Sequence, residues 1–249
     1  MARVRVTAEP DLDAPTLVEG LPGVGLVGKI TTDHLIGTFD MEYVASIECD
    51  GVPPVTIYDE DSRDVLPPVR VYADESRDLL ALQSDVPISR QATADFSDCF
   101  TEWLASRDAT PLYLSGLPIE DHDPSTLPDV FGIATTDATA SRLQDHGIET
   151  PPERGLIGGP TGALINAASE SSVDAAGLVV ESDPQFPDPA AAKRLIEVTI
   201  EPLADVDVPT DDLVDRAEEI REQKQQLAKA MQEAGDEEAT QARPMRMFQ

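Results

Sequence analysis

The chain has 249 residues, 48 acids against 18 bases and a formal net charge of −30, with 41% hydrophobic content. That length suits one substantial α/β domain with an appendage, and the apolar content argues against an acidic disordered chain. No Lys/Arg cluster exists to neutralise phosphates, which excludes nucleic acid as a partner.

The acidic excess is read as a salt-adapted, halophilic surface whose self-repulsion high salt screens. The residues Met1-Ala2-Arg3-Val4-Arg5-Val6 lack an apolar signal core, and no run reaches the ~18 residues of a membrane helix, so a cytoplasmic, soluble protein without membrane contact is expected. Cys49 and Cys99 form no CxxC or metal spacing and are expected to be buried free thiols.

In chain order, residues 3–7 alternate as an edge strand does. Thr16, Leu17 and Val18 form a short apolar run ending at Gly20. After a turn at Leu21-Pro22 come Gly23, Gly25 and Gly28, opening a segment with helical apolar spacing. The Gly23-x-Gly25-x-x-Gly28 spacing matches the dinucleotide fingerprint, and Glu48 or Asp50 follows about 20 residues on. Yet the next strand-like run, residues 43–49, leads into the turn Asp50-Gly51-Val52-Pro53-Pro54, where a mononucleotide-binding half needs a helix. The first reading is therefore a sharp turn with tight helix–sheet packing; a dinucleotide- or nucleoside-binding enzyme is the second.

The phrase Gly20-Leu21-Pro22-Gly23-Val24-Gly25-Leu26-Val27-Gly28-Lys29, followed by Leu35-Ile36 and a short acidic strand, resembles the opening signature of the proteasome assembly chaperone (PAC2) family, in its archaeal branch. The resemblance implies a non-enzymatic α/β chaperone with a purine-nucleoside-phosphorylase-like topology, no cofactor, and the proteasome as partner. Enzymes of that topology bind phosphate and nucleoside, which keeps a phosphorylase- or hydrolase-like activity as the alternative.

Further on, residues 43–47 and 55–58 flank the 51–54 turn and suggest an antiparallel pair. Residues 69–73 and 79–83 suggest a second hairpin, so the sheet is mixed. Residues 89–107 turn helical, with Phe96, Phe100, Trp103 and Leu104 as an apolar stripe. Residues 112–118 read as a buried strand, 131–135 as another, and 136–146 as a helix capped by Gly147. Gly155, Gly158, Gly159 and Gly162 repeat the strand, glycine turn and helix theme. Residues 177–182 form the last strand, and a helix spans 190–203. The expected fold is a three-layer α/β/α domain over residues 1–205.

His34, His122 and His146 have no Ser or Cys partner at local spacing, so no catalytic residue is assigned. The group Asp121-His122-Asp123 has no second cluster to complete a metal site, and no metal is expected.

A helix over residues 206–234 carries Leu213, Ala217, Ile220, Lys224, Leu227 and Met231 at heptad spacing. That stripe pairs subunits into a homo-oligomer or packs back on its own domain. The tail, residues 235–249, is acidic and then apolar at Met245, Met247 and Phe248, which suggests a docking peptide. Met247-Phe248-Gln249 resembles the hydrophobic–tyrosine–any-residue carboxyl-terminal motif with which proteasome activators enter pockets between α-subunits of the 20S core, with Phe in place of Tyr.

Overall fold

The computed structural model describes residues 2–58, 63–119, 126–185, 187–211 and 213. Eight strands form one sheet: β1 Arg3–Val6, β2 Thr16–Gly20, β3 Glu42–Glu48, β4 Val69–Asp74, β5 Leu79–Ser84, β6 Thr110–Pro118, β7 Val130–Ala134 and β8 Ala176–Ser182. Their spatial order is β1-β3-β4-β5-β2-β6-β8-β7. The centre is parallel, β5 with β2, β2 with β6, and β6 with β8. The flanks are antiparallel, through β1/β3, β3/β4, β4/β5 and β7/β8. The mixed sheet and the 69–84 hairpin match the sequence reading.

Six α-helices defined by the described residues accompany the sheet: α1 Val27–Phe39, α2 Thr93–Ala105, α3 Asp137–Asp145, α4 Gly159–Glu170, α5 Pro189–Leu195 and α6 Glu201–Ala204. α1 and α5 pack together over one face, α2 and α4 over the other. Alternation along each strand divides the side chains between two cores. Val18, Leu79, Ala81, Leu112 and Leu114 join the first, while Leu17, Leu80, Leu82 and Tyr113 join the second. Because both faces are covered, the central strands read as unbroken apolar runs, as parallel sheets do. On α2, Phe96, Phe100 and Leu104 are fully buried. α3 is capped as its sequence indicates, by the Thr136 hydroxyl accepting from the Thr139 N–H and by Gly147 at φ +71°.

Residues 55–58 do not pair with β3, whose partners are β1 and β4. Ile57 instead makes an isolated bridge to Leu66, with two 2.9 Å backbone bonds. Pro53-Pro54 and Pro67-Pro68, which have no N–H to donate to a ladder, bracket the segment. No strand precedes α4 either: residues 154–158 have no regular structure, and the outer edge of β7 is met by Glu149, whose carbonyl accepts from the Gly132 N–H at 2.8 Å. The helix expected over 190–203 is interrupted by a π turn at Ile196–Ile200, just before Pro202, which has no N–H for the preceding turn. Cys49 and Cys99 are free but only half-buried. Val208 and Leu213 belong to the first core, so packing continues past residue 205.

Candidate functional site

The carboxyl ends of β2, β5, β6 and β8 lie at one end of the sheet, where open α/β folds place their ligands. There β2 leaves the sheet at Gly20 and the chain turns through Val24–Leu26 into α1. Gly25 has φ +60°, and Leu26 is also left-handed at φ +51°. The turn lies down on the sheet: a β-carbon at Gly25 would stand 1.9 Å from Ser182 Oγ at the end of β8, and one at Gly116 of β6 would stand 2.5 Å from the Val24 carbonyl oxygen. A β-carbon at Gly28 would approach the Glu19 carbonyl oxygen at 3.2 Å, whereas one at Gly23 would meet nothing within 4 Å.

The loop after β8 closes over the turn. The Asp188 N–H donates to the Gly25 carbonyl at 2.8 Å. Its side chain accepts from the Ser182 hydroxyl at 3.2 Å, the Asp183 N–H at 3.0 Å and the Ala191 N–H at 3.0 Å, capping α5. The inner face of the glycine turn is thus taken up by protein groups.

Gly158 and Gly159 open α4, Gly159 at φ +65°. Gly155 and Gly162 line a cleft of ≈ 790 Å³ between α4, the β7/β8 edge and residues 151–157. A β-carbon at Gly162 would stand 2.1 Å from the Ile157 carbonyl oxygen. The two glycine clusters are joined by Glu19, the last residue before Gly20. Its carboxylate accepts from the Leu21 N–H at 3.0 Å, the Leu114 N–H at 3.0 Å and the Thr161 hydroxyl of α4 at 3.1 Å. Glu19 is fully buried, and that burial pushes its pKa up to about 7 against the pull of the three donors.

A sequence model of the PAC2 family matches residues 17–228. The chain belongs to the PAC2 family. The fold is similar to the crystal structure of Pyrococcus furiosus PbaA, an archaeal homolog of proteasome-assembly chaperone, at TM-score 0.80 and 24% identity, covering 95% of this chain and 100% of that one. It is also similar to P. furiosus PbaB, an archaeal proteasome activator, at TM-score 0.75 and 21% identity, covering 91% and 98%. An uncharacterized protein of Methanocaldococcus jannaschii is 27% identical over 222 residues, which is 89% of this chain and 88% of that protein.

Beside the glycine turn this PAC2 chain buries a second polar group that sequence reading passes over. Lys29 Nζ lies 2.9 Å from Asp33 Oδ2 and 3.1 Å from Asp85 Oδ1, and Arg70 Nη2 lies 2.7 Å from Asp85 Oδ2. Gln83 accepts from Arg70 at 2.5 Å and donates to Asp33 at 2.6 Å. Lys29 and Arg70 are each 3% exposed. Two cations against two carboxylates make the cluster neutral, which is how a protein interior tolerates charge. Burial raises the Asp33 pKa, opposed by Lys29, while Asp33 and Asp85 hold Lys29 in its charged form against its own desolvation.

The signals were in the chain: Glu19 is the one charge in an apolar strand, and Lys29 and Asp33 stand one helical turn apart. Among the described residues no group of His, Cys, Asp and Glu has the geometry to hold a metal ion, and no helix is long and apolar enough to cross a membrane. Of the heptad stripe, Leu213 is buried in the α1/α5 core. Ala217, Ile220, Lys224, Leu227, Met231, the tripeptide Met247, Phe248 and Gln249, and the group Asp121-His122-Asp123 lie outside the described residues.

Proposed function

We propose that this chain is a proteasome assembly chaperone-type protein that binds the 20S core or its α-subunits through Met247, Phe248 and Gln249 and has no catalytic activity of its own. The observation that carries the reading is the PAC2 match over residues 17–228, in a chain whose last three residues resemble a proteasome-docking motif. The fold's likeness to PbaA, an archaeal homolog of proteasome-assembly chaperone, and to PbaB, an archaeal proteasome activator, supports it. The packing of Ser182 and Asp188 against Gly25 weighs against the enzymatic alternative, because it fills the place where a dinucleotide fingerprint needs open backbone.

In this reading residues 1–205 form the body, 206–234 a helical arm and 235–249 the docking tail. Burying Met247 and Phe248 contributes roughly 1.5–3 kcal/mol each. One tail binds weakly once it is ordered, so a homo-oligomer carrying several tails gains affinity through effective concentration.

The test is a 20S pull-down in molar salt. Phe248→Ala, or one residue added after Gln249, is expected to weaken binding at least tenfold, about 1.4 kcal/mol. Phe248→Tyr, which restores the motif's hydroxyl, is expected to keep or improve it. Unaltered capture after deletion of residues 247–249 would overturn the tail's role.

A further inference from the structure

Glu19 holds a carboxylate where no charge matches it. Alternation along β2 sets it with Leu17 on the α2/α4 side of the sheet, fully buried. Its neighbour across the ladder is Tyr113 of β6, whose hydroxyl pKa is pushed further up by burial and by Glu19, so that it stays neutral. β5 brings Leu82 to this side, and α2 brings Phe96, Phe100 and Thr101, its Asp95, Asp98 and Glu102 being exposed. The Lys29, Asp33, Arg70 and Asp85 cluster lies across the sheet, beneath α1, and Glu153, Arg154 and Glu181 line the cleft. None of these charges acts on Glu19, whose polar partners among the described residues are Leu21, Leu114 and Thr161.

The start of α4, which supplies the third partner, is lightly held. No residue from Gly159 to Ala163 is buried, Leu164 being the first that is. The Gly162 N–H reaches the Gly158 carbonyl only at 3.3 Å, and residues 154–158 before it have no regular structure. The 3.1 Å bond from the Thr161 hydroxyl to Glu19 is the one side-chain hydrogen bond that ties this turn to the sheet among the described residues.

Leu21 and Leu114 offer Glu19 only N–H groups. When Glu19 takes up a proton, the Thr161 oxygen is therefore the partner able to accept it, and the hydroxyl turns from donor to acceptor. Thr161 bonds to either form, but a site without a counter-charge favours the acid. We propose that Glu19 and Thr161 form a pH-operated latch, in which loss of the Glu19 proton frees the first turn of α4 and opens the adjoining cleft. Raising the pH favours whichever state lets water reach the carboxylate. Of the elements that Glu19 joins, the α4 turn yields at least cost, because β2 and β6 are each paired on both sides. Burial pushes the Glu19 pKa up to about 7, which centres the latch near neutrality. Movement of the turn widens the ≈ 790 Å³ cleft, since Ile157, Gly162 and Ile165 line it.

The test is hydrogen–deuterium exchange of the full-length protein in 2 M KCl at pH 5.5 and 8.5, with protection taken relative to the intrinsic exchange rate at each pH. Protection of the amides of residues 161–164 is expected to fall at least tenfold from pH 5.5 to 8.5, and to stay at least tenfold below that of the 69–84 hairpin at both. Glu19→Gln, whose amide still donates to Thr161, is expected to show no such fall. Thr161→Ala is expected to lower protection of the same amides already at pH 5.5, and Thr161→Ser to restore it; both leave Glu19 in place and keep the test open if Glu19→Gln does not fold. Equal protection at the two pH values, the same fall in Glu19→Gln, or wild-type protection in Thr161→Ala would overturn the proposal. So would exchange of residues 161–164 at the hairpin's rate, which assigns the opening to the whole fold.

Discussion

Ser182 occupies the space that a side chain at Gly25 would need, with its hydroxyl oxygen 1.9 Å from the ideal β-carbon position. Two residues 157 apart in sequence thereby fix the angle at which the glycine turn meets the last strand. The contact also explains why the turn needs glycine at this position more than at Gly23, where a β-carbon meets nothing within 4 Å.

Gly25→Ala is expected to destabilise the fold by about 2–4 kcal/mol, combining overpacking with left-handed strain at φ +60°. Adding Ser182→Gly should return part of that loss, because it removes the clash and leaves the strain. Urea unfolding of the two single variants and the double variant measures both parts; strictly additive losses would show that the residues do not interact.

Glu19 makes stability depend on pH. Burial raises its pKa to about 7 from the ordinary glutamate value of 4.5, so between these values the folded state binds more protons than the unfolded one. Stability from this residue is therefore present at and below pH 4.5 and lost as pH rises to about 7. Relative to Glu19→Gln, the wild type should lose about 2–3 kcal/mol between pH 5 and pH 8, read as the difference in urea midpoints. A constant difference across that range would show that the carboxylate stays ionised, held by Leu21, Leu114 and Thr161.

Lys29→Met leaves Asp33 and Asp85 with Arg70 as their remaining cation. The expected cost is about 3–5 kcal/mol at pH 8, as for other buried pairs broken on one side. The loss should shrink at pH 4, where Asp33, whose pKa burial already raises, takes up a proton. Denaturant titrations at the two pH values check both statements.

Salt acts on the exterior. With 48 acids against 18 bases, thermal stability should be markedly lower in 0.1 M than in 2 M KCl, since the Debye length falls from ~10 Å to less than 3 Å. The cost of Lys29→Met should change little over the same range, because buried pairs are screened far less than surface ones. Equal melting temperatures in the two salts would remove the halophilic reading.

Strand β2, the glycine turn, the 69–84 hairpin and the Phe96-Phe100-Leu104 stripe were legible because periodicity reports which side chains are buried. The pairing of residues 55–58 with β3 was not: apolar character near a turn does not reveal that Pro53-Pro54 and Pro67-Pro68 deny the ladder its donors, nor that β4 supplies a better partner. The strand expected before Gly158 failed for a related reason, since the outer edge of β7 is taken by Glu149. At the site, the glycine spacing named the turn but not its contents. That Ser182 and Asp188 pack against Gly25, and that Arg70 and Gln83 complete a cluster with Lys29, are long-range facts carried by sheet order alone.

The antiparallel entry of β1 has a practical consequence. Arg3 lies opposite Glu48, so the first residues of the strand stand at the same end of the sheet as Tyr58 and Leu156. An affinity tag or fluorophore attached ahead of Arg3 would hang over the loops that carry those two exposed side chains. A label attached near Ser106, between α2 and β6 at the opposite end, would leave that face open.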